Sequence, residues 1–429
     1  MKVLEFLGDI ADSGDWRTLW ERDAYQHPSY LPAELNVAAT HQQSAYYLPE
    51  HLRPPITPPQ KRGLTPHTLL ATDDAGPVLG LALSVERLEG ETRLSAYGRP
   101  LQLVEDRHAS GPRRKTAAKL IYRRLEELRR DLGATTYQLR DPLHGGQLSS
   151  LAELVLRDGG SAHLFFTQVI DLRLPLETIQ ADFRPSLRNL LRRTRPGFCA
   201  QLVTSENVTI RHRDALRRLH VGMHGRDMRT PEGWEALHDC VRTGNGFMVF
   251  AKDGDDYTAG AYFPSSARYC YYAIGVNDTS RYGAGLSHLV LWRAIEHSHQ
   301  QGLHYFEVGD RIYPGQHRYV QEKFHTISHF KAGFGHGVAA RLDVFPAELP
   351  PWHITDRRLT GPSPRFPTSA VRPCSCSAAS AFPSGGCTRP LPGADFRSPW
   401  SSRNQQPGRP ATAPVCCRST AQATTSSIA

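Results

Sequence analysis

An order of secondary-structure elements that occurs twice is the feature that most constrains the fold. The pattern of residues 68–140 predicts, in order, a strand, a turn that contains Asp, two further strands, an amphipathic helix and a final strand. Residues 246–310 repeat this order. In both stretches the helix ends at a glycine, Gly133 or Gly302, and the last strand ends in an acid. Chance recurrence of a common pattern is the alternative. Agreement at turns, helix ends and strand ends together favours a duplication, and it predicts two similar β-β-β-α-β units.

The spacing of apolar residues supports both helices. Leucine and isoleucine recur at helical intervals before Gly133, and a second apolar set recurs before Gly302. The first set is Leu120, Ile121, Leu125, Leu128 and Leu132, and the second is Leu286, Leu289, Val290, Trp292 and Ile295. We expect the third strand of each unit at residues 93–100 and 268–276.

The part of the chain from Pro346 onward has a different composition from the rest. It contains nine arginines, no lysine and three acids, so most of the net charge of +9 lies there. This tail holds five of the eight cysteines and is rich in Pro, Ser and Ala. It has no apolar periodicity to offset its ordering entropy, so we expect disorder. It is either a Pro/Ser-rich interaction tail or the product of a shifted reading frame.

Neither a membrane span nor a secretion signal is apparent in the sequence. A membrane helix needs roughly 20 consecutive apolar residues, and acidic residues interrupt the N-terminal stretch where a signal peptide would be apolar. We therefore expect a soluble, cytoplasmic protein without integral membrane contact. The scattered histidines His317, His325, His329 and His336 have no regular ligand spacing, and we predict no metal site.

An ordered set of segments in the second half resembles the FemA/FemB/FemX type of transferase and its BioF2-like relatives. The segments are SLRNLLRRTRPGF, FMVFAKDGDDYTAGAYF, YYAIGVNDTSRYGAGLSHLVLWRAIEHSHQQGLHYFEVGD and ISHFKAGFGH. The resemblance covers roughly residues 15–345, and the closing FKAGFG is its most specific part. It implies an α/β fold with mixed sheets and two tandem GNAT-like acyl-CoA N-acyltransferase domains. We place these at 1–172 and 173–345, followed by the tail at 346–429.

This resemblance also implies an activity of bacterial type. An acyl or aminoacyl group would pass from an activated donor to an amine by direct attack in the second domain. The donor would be acyl-CoA or aminoacyl-tRNA, acting as co-substrate with no bound cofactor. The acceptor would be a small molecule or a cell-wall or glycan amine, and the oligomeric state stays open. A non-catalytic relative that binds a nucleotide- or glycan-linked ligand is the alternative function.

A glycine-containing turn before the second helix predicts the donor site. Arg281, Gly283 and Gly285 precede this helix, and Ser287 lies in its first turn. Free N–H groups and the positive end of the helix dipole favour phosphate there. The turn resembles the GNAT pyrophosphate loop, R/Q-x-x-G-x-G/A, but Ser280 stands where that loop has its basic residue. A plain tight turn is the alternative.

Three residues are the catalytic candidates. Tyr272 lies in the third strand, where Tyr269 and Tyr271 share the opposite face by alternation. Asp310, at a strand end, could orient the attacking amine or take its proton, or it could only cap a turn. Lys331, in FKAGFG, could pair with a phosphate or carboxylate, or it could be an ordinary surface lysine.

A basic helix precedes the second unit. Arg188, Arg192 and Arg193 share one side of it and could contact phosphates of tRNA or of a lipid-linked acceptor. A solvated helix face is the alternative.

Overall fold

A computed structural model describes residues 1–7, 14–39, 63–88, 91–192, 198–278, 280, 285–313 and 322–348. All of these belong to one compact unit, Met1–Leu359. The tail beyond residue 348 lies outside the described residues, so its disorder stays a prediction.

The described part of the chain contains ten α-helices and seventeen strands. The helices are α1 (Gly14–Arg22), α2 (Pro32–Ala39), α3 (Gly111–Asp131), α4 (Ser150–Arg157), α5 (Leu176–Asp182), α6 (Pro185–Arg192), α7 (Ile210–His224), α8 (Pro231–Arg242), α9 (Leu286–Gln300) and α10 (Glu322–Lys331). The first nine strands are β1 (Lys2–Phe6), β2 (Gly63–Pro66), β3 (Thr68–Asp73), β4 (Gly76–Leu81), β5 (Ser84–Leu88), β6 (Glu91–Ser95), β7 (Leu103–Glu105), β8 (Thr136–Tyr137) and β9 (Leu139–Asp141). The others are β10 (Ser161–Asp171), β11 (Phe198–Val203), β12 (Gly246–Asp253), β13 (Asp256–Pro264), β14 (Tyr269–Tyr271), β15 (Ile274–Asn277), β16 (Tyr305–Arg311) and β17 (Val338–Phe345).

The second half follows the predicted order closely. Strands β12 and β13 form an antiparallel hairpin whose turn contains Gly254 at φ +59°. The predicted third strand is present as β14 and β15, helix α9 follows, and Gly302 at φ +74° ends it before β16. Glycine is favoured at both positions because a residue with a side chain is strained at positive φ.

In the first half, one strand lies elsewhere than predicted. Strands β3 and β4 form the hairpin, α3 is the helix, and Gly133 stops it at φ +61°. Of the stretch 93–100, predicted as the third strand, residues 93–95 belong to β6, which pairs with β5 and, in parallel, with β8 after α3, as β14 pairs with β16. The antiparallel pairing with β4, which corresponds to that of β15 with β13, is made further along the chain by β7.

Strands from both halves share the central sheet. Its order is β14-β16-β10-β17-β9, with β10 antiparallel to both β16 and β17. Strand β17, from the end of the described chain, pairs in turn with β9 of the first half. The halves are thus joined by backbone hydrogen bonds as well as by side chains. The domain boundary at 172/173 stays a prediction.

The sheet β11-β12-β13-β15 carries helices on both faces. Alternate residues of β12 point to opposite sides: Phe247 and Val249 join a core with α5, α6 and α9, while Met248 and Phe250 join a core with α7 and α8. A third core fills the first half. No helix in the described part of the chain combines the length and apolarity needed to cross a bilayer.

Candidate active site

A cleft opens where the third strand of the second half divides. Strand β14 runs parallel to β16 as far as the pair Tyr271–Glu307, and the Tyr272 N–H still donates to the Glu307 carbonyl at 2.9 Å. Beyond it, β15 pairs with β13, and no ladder joins it to β16 among the described residues. A strand that loses its neighbour exposes backbone N–H and C=O groups along the open edge. Such an edge can bind an acyl carbonyl.

A cavity of about 470 Å³ lies at this division and is lined by residues from both halves. From the first half come His27, Ser29, Tyr30, Glu34, Val37, Ala38, Tyr97, Arg99, Pro100, Gln102 and Arg140. From the second come Arg229, Tyr262, Tyr271, Tyr272, Ala273, Ile274, Glu307, Gly309, Asp310, Lys331 and Arg341. Its volume is that of a typical small-molecule site.

Glu307 is the most extensively bonded carboxylate of the cavity. Its Oε2 accepts from the Arg341 guanidinium and, at 2.7 Å, from the Tyr269 hydroxyl. Its Oε1 accepts from the Thr167 hydroxyl at 3.0 Å. Burial alone would raise the pKa of Glu307, but the charge of Arg341 and the hydrogen bonds hold this pKa well below its usual range. Glu307 therefore remains ionised near neutral pH, and a carboxylate of such low pKa is a weak base.

His27 completes this network from the first half. Its Nδ1 accepts from the Ser29 backbone N–H at 3.2 Å, and its Nε2 lies 3.3 Å from Glu307 Oε2. Because Nδ1 is an acceptor, the proton of the neutral ring is on Nε2 and is donated to the carboxylate. Burial lowers the pKa of His27, which keeps the ring neutral.

Lys331 and Asp310 face the same cavity without strong partners. Among the described residues, Lys331 Nζ has no hydrogen bond and no carboxylate within 4 Å. Its Nζ lies over Gly309, which has φ +111° and where a Cβ would come within 2.6 Å of that nitrogen. Burial lowers the pKa of Lys331, while Asp310 and Glu307 oppose that shift. The fold thus brings the two predicted residues together, and their chemical roles stay a prediction.

The three tyrosines of the divided strand separate as alternation predicts. Tyr269 and Tyr271 pack against His27, with ring centroids 4.8 and 5.5 Å away. Tyr272 lines the cavity from the other side and stacks on Phe263 at 5.7 Å. Burial raises the pKa of Tyr272, so its hydroxyl stays protonated and can only donate or accept a hydrogen bond.

The start of α9 is described only from Gly285 onward, and Arg281 and Gly283 lie outside the described residues. Gly285 has φ +73°, and a Cβ there would come within 2.7 Å of the Leu190 side chain of α6. Helix packing and backbone conformation therefore explain this glycine without a phosphate. Ser287 donates its hydroxyl hydrogen to Asn277 Oδ1, which ties α9 to β15. The donor-binding role of this turn stays a prediction.

Helix α6 carries Arg192, which is exposed, and Arg188, which is half-buried. Arg188 Nη1 donates to the Ala181 carbonyl at 2.9 Å, and Arg192 Nη2 donates to Asn189 Oδ1 at 2.7 Å. Neither has a carboxylate within 4 Å in the described part of the chain, whereas Leu187 is buried on the opposite side. Arg193 lies outside the described residues. These guanidiniums are free to meet an anion, but they do not line the cavity.

Of the four scattered histidines, His317 lies outside the described residues. His329 Nε2 is 2.6 Å from Arg184 Nη1, and His336 Nδ1 is 2.6 Å from Asp182 Oδ1. The described residues do contain one compact group of metal-type ligands, Glu235, His238 and Asp239 on α8. Its two acids already pair with arginines of the surface, which disfavours a cation.

Sequence reasoning missed most of the cavity wall. His27, Glu34, Arg99, Arg140, Arg229 and Arg341 all come from segments whose patterns indicate secondary structure and no chemistry. Two signals were present in the sequence. Glu34 stands alone in the apolar stretch LPAELNVAA and is fully buried, and Arg341 interrupts the strand VAARLDVF. Charges at such positions are costly unless they are paired, so they mark sites.

The chain is similar to known proteins in part of its sequence and in its fold. Residues 181–319 match the family model described as acetyltransferase (GNAT) domain. The solved structure of FemX shares the fold at a TM-score of 0.55 and 10% identity, over 80% of this chain and 97% of FemX. L-PGS from Bacillus licheniformis has a TM-score of 0.49 at 11% identity, over 81% of this chain and 96% of that one. No curated protein sequence matches the chain.

Residues 181–319 thus match a GNAT acetyltransferase domain, and the fold of the chain is similar to that of FemX, which confirms the resemblance of fold seen in the sequence.

Proposed function

We propose that this chain is an N-acyltransferase that moves an acyl or aminoacyl group from an activated donor to an amine. The observation that carries the proposal is the presence of Lys331 and Asp310, both without a strong partner, in one cavity at the divided strand. An acyl transfer needs a cation or N–H groups for the developing oxyanion and a base for the amine. This cavity supplies both kinds of group.

Lys331 and Asp310 would have different roles in the reaction. The amine lone pair attacks the acyl carbon while the carbonyl oxygen gains negative charge near Lys331 and the open edge of β15. The C–N bond forms as Asp310 accepts the amine proton. The C–S or C–O bond to the donor then breaks, and the leaving sulfur or ribose oxygen takes up the proton from Asp310, so the donor leaves as a thiol or a ribose hydroxyl. Direct attack is the simplest path because no nucleophile–base pair faces the cavity among the described residues.

Both donor classes remain in the proposal. Acyl-CoA and aminoacyl-tRNA present an activated carbonyl together with phosphates, and the start of α9 lies beside the open strand edge. The acceptor, a small molecule or a cell-wall or glycan amine, would enter through the part of the cavity that the first half lines. Because both donors are made in the cytoplasm, we place the reaction there.

Product mass spectrometry tests the proposal. The full-length protein is incubated with a panel of CoA thioesters and charged tRNAs and a panel of amines. We expect one acceptor to gain the mass of the acyl group, with the rate reduced about 100-fold in Asp310→Asn. Glu177→Gln, an exposed acid on α5, is the matched control and should leave the rate unchanged. Donor binding without any transfer would instead support the non-catalytic alternative.

A further inference from the structure

Four guanidiniums line the cavity, and three of them have a carboxylate partner. The pairs are Arg99 with Glu34 at 3.4 Å, Arg140 with Asp343 at 2.8 Å, and Arg341 with Glu307. The fourth, Arg229, has no carboxylate within 4 Å among the described residues. The cavity therefore contains one guanidinium whose counter-ion the described part of the protein does not provide.

The surroundings of Arg229 make a guanidinium without a counter-ion energetically unfavourable. Its Nε has no exposed surface and no hydrogen-bond partner in the described part of the chain, and its Nη1 reaches only the Val37 carbonyl at 3.4 Å. The guanidinium lies 5.8 Å from the centre of the Trp234 ring. Burial lowers the pKa of Arg229, which reflects the same poor solvation of the charge. Arg229 is half-buried, and an unpaired charge that is partly removed from water lowers stability, a cost that a bound anion would reduce.

Glu34 does not fill the role. It is fully buried, it accepts hydrogen bonds from the Tyr262 hydroxyl and from Arg99, and it makes no ion pair with Arg229, although its charge partly opposes the lowering of the Arg229 pKa by burial. No other anion lies at Arg229 among the described residues, and a bound ligand can supply the missing charge. A single unpaired guanidinium matches one negative charge in the planar, two-oxygen form of a carboxylate. A doubly charged phosphate would require further unpaired cations at this end.

Resting on the proposed function, we infer that the acceptor carries a carboxylate in addition to its amine, and that Arg229 binds this carboxylate. Arg229 and Asp310 line the same cavity, so one molecule can place its carboxylate at Arg229 and its amine at Asp310. The substrate class is thus an amino acid, or a larger amine that ends in an amino-acid-like carboxylate. Arg229 acts as a specificity residue and takes no part in proton transfer.

Calorimetric titration of the full-length protein tests the inference without requiring turnover. The probes are ω-amino acids from glycine to 6-aminohexanoate, each paired with its carboxamide. We expect at least one acid to bind the wild-type protein at least tenfold more tightly than its amide, and the best chain length reports the spacing between Arg229 and the amine site. Arg229→Gln should bind acid and amide alike, and Arg229→Lys should retain part of the preference.

Matched controls keep the outcomes distinct. Arg218→Gln, an exposed arginine on α7, should bind as the wild type does, and the melting temperature of each free variant verifies its fold. Equal affinity for acid and amide in the wild type, unchanged preference in Arg229→Gln, or tighter binding of 2-aminoethyl phosphate would each overturn the inference. If the carboxylate preference is present but no donor is ever consumed, the proposed function fails and this inference stands. If transfer occurs equally well to amines without a carboxylate, this inference fails and the proposed function stands.

Discussion

At the scale of single residues, hydrogen bonding separates the structural charges of the cavity from the reactive ones. Glu307 is bonded on both oxygens and pairs with Arg341, so its charge is fixed. Lys331 and Asp310 have no comparable partners among the described residues and are therefore available to a substrate. Catalysis at neutral pH needs available groups such as Lys331 and Asp310. A site also needs fixed charges such as that of Glu307, because these hold its geometry.

The first prediction concerns Lys331. Lys331→Met should slow transfer about 100-fold, because the oxyanion loses its cation. Gly309→Ala should slow it as well, since a Cβ there would lie 2.6 Å from Lys331 Nζ and displace the ammonium group. Steady-state rates measure both. Lys119→Met, an exposed lysine on α3, is the control. A Lys331→Met enzyme as fast as the Lys119→Met control would remove Lys331 from the reaction centre.

A second prediction follows from the pKa of Glu307. Because the folded-state pKa is depressed below the ordinary 4.5, the unfolded chain binds the proton more readily. This stabilisation is fully present above pH 4.5 and is lost as the pH falls through the folded-state value. Glu307→Gln leaves Arg341 buried without a charge partner, so it should lower the free energy of unfolding at pH 7 by about 3–5 kcal/mol.

Urea unfolding at pH 7 and pH 4 checks this prediction. The Glu307→Gln variant should lose less stability than the wild type between the two pH values. Glu206→Gln, an exposed acid between β11 and α7, is the control and should follow the wild type. Equal pH dependence in Glu307→Gln and the wild type would show that Glu307 is not held ionised by its neighbours.

At the scale of elements, the sequence predicted helices and hairpins well and the divided strand poorly. The helices that precede Gly133 and Gly302 could be predicted because apolar spacing and a glycine stop are local signals. The division at Tyr272 is followed by Gly275, where the Tyr272 side chain occupies the space of a Cβ, but the sequence does not show this contact. The division results from competition between β13 and β16 for one strand. In the first half, only residues 93–95 of the predicted third strand form a strand, β6, and the pairing with β4 is made by β7, because the sequence does not show where a strand changes partner.

The packing of α6 against α9 shows the same limit. From the sequence, the glycine at position 285 was explained by the approach of a phosphate. In the structure, the Leu190 side chain already occupies the space where a Cβ of Gly285 would lie. Sequence alone could not reveal this packing, because the two residues are far apart in the chain.

The third prediction uses α6 to separate the two donors. If tRNA is the donor, changing Arg188, Arg192 and Arg193 together to alanine should weaken binding. It should also reduce the slope of log affinity against log salt by about 0.9 for each phosphate that the helix no longer neutralises. Filter binding of charged tRNA from low to moderate salt measures the slope. With a CoA donor, the triple variant should keep its donor affinity. A wild-type slope in the triple variant would rule out tRNA binding through this helix.

At the scale of the whole molecule, the cavity exists only because the two halves share a sheet. Strand β17 contributes Arg341 to the cavity and pairs with both β10 and β9, so neither half builds the site alone. Contacts over such sequence distances leave no periodic trace, which is why the residues of the first half were not predicted as site residues. The charged positions inside apolar segments, Glu34 and Arg341, were the available clue.

The fourth prediction is that the tail is dispensable. A chain that ends at Asp356 should melt at the temperature of the full-length protein, because the tail offers no apolar face to the cores. A melting temperature clearly below that of the full-length protein would contradict this. Resequencing the gene near codons 346–365 distinguishes the two origins: a missed or added base indicates a shifted frame, and an intact frame indicates a true Pro/Ser-rich tail.

The most direct measurement is a crystal structure of the full-length protein with a donor analogue whose acyl group cannot transfer. We expect the acyl carbonyl to lie between the open edge of β15 and residues Gly309 and Asp310 of β16. Its oxygen should be within hydrogen-bonding reach of Lys331 or of a β15 N–H, with the donor phosphates near the start of α9. An acyl group bound outside the cavity, with Lys331 and Asp310 unchanged and distant, would contradict the placement of the reaction centre at the divided strand.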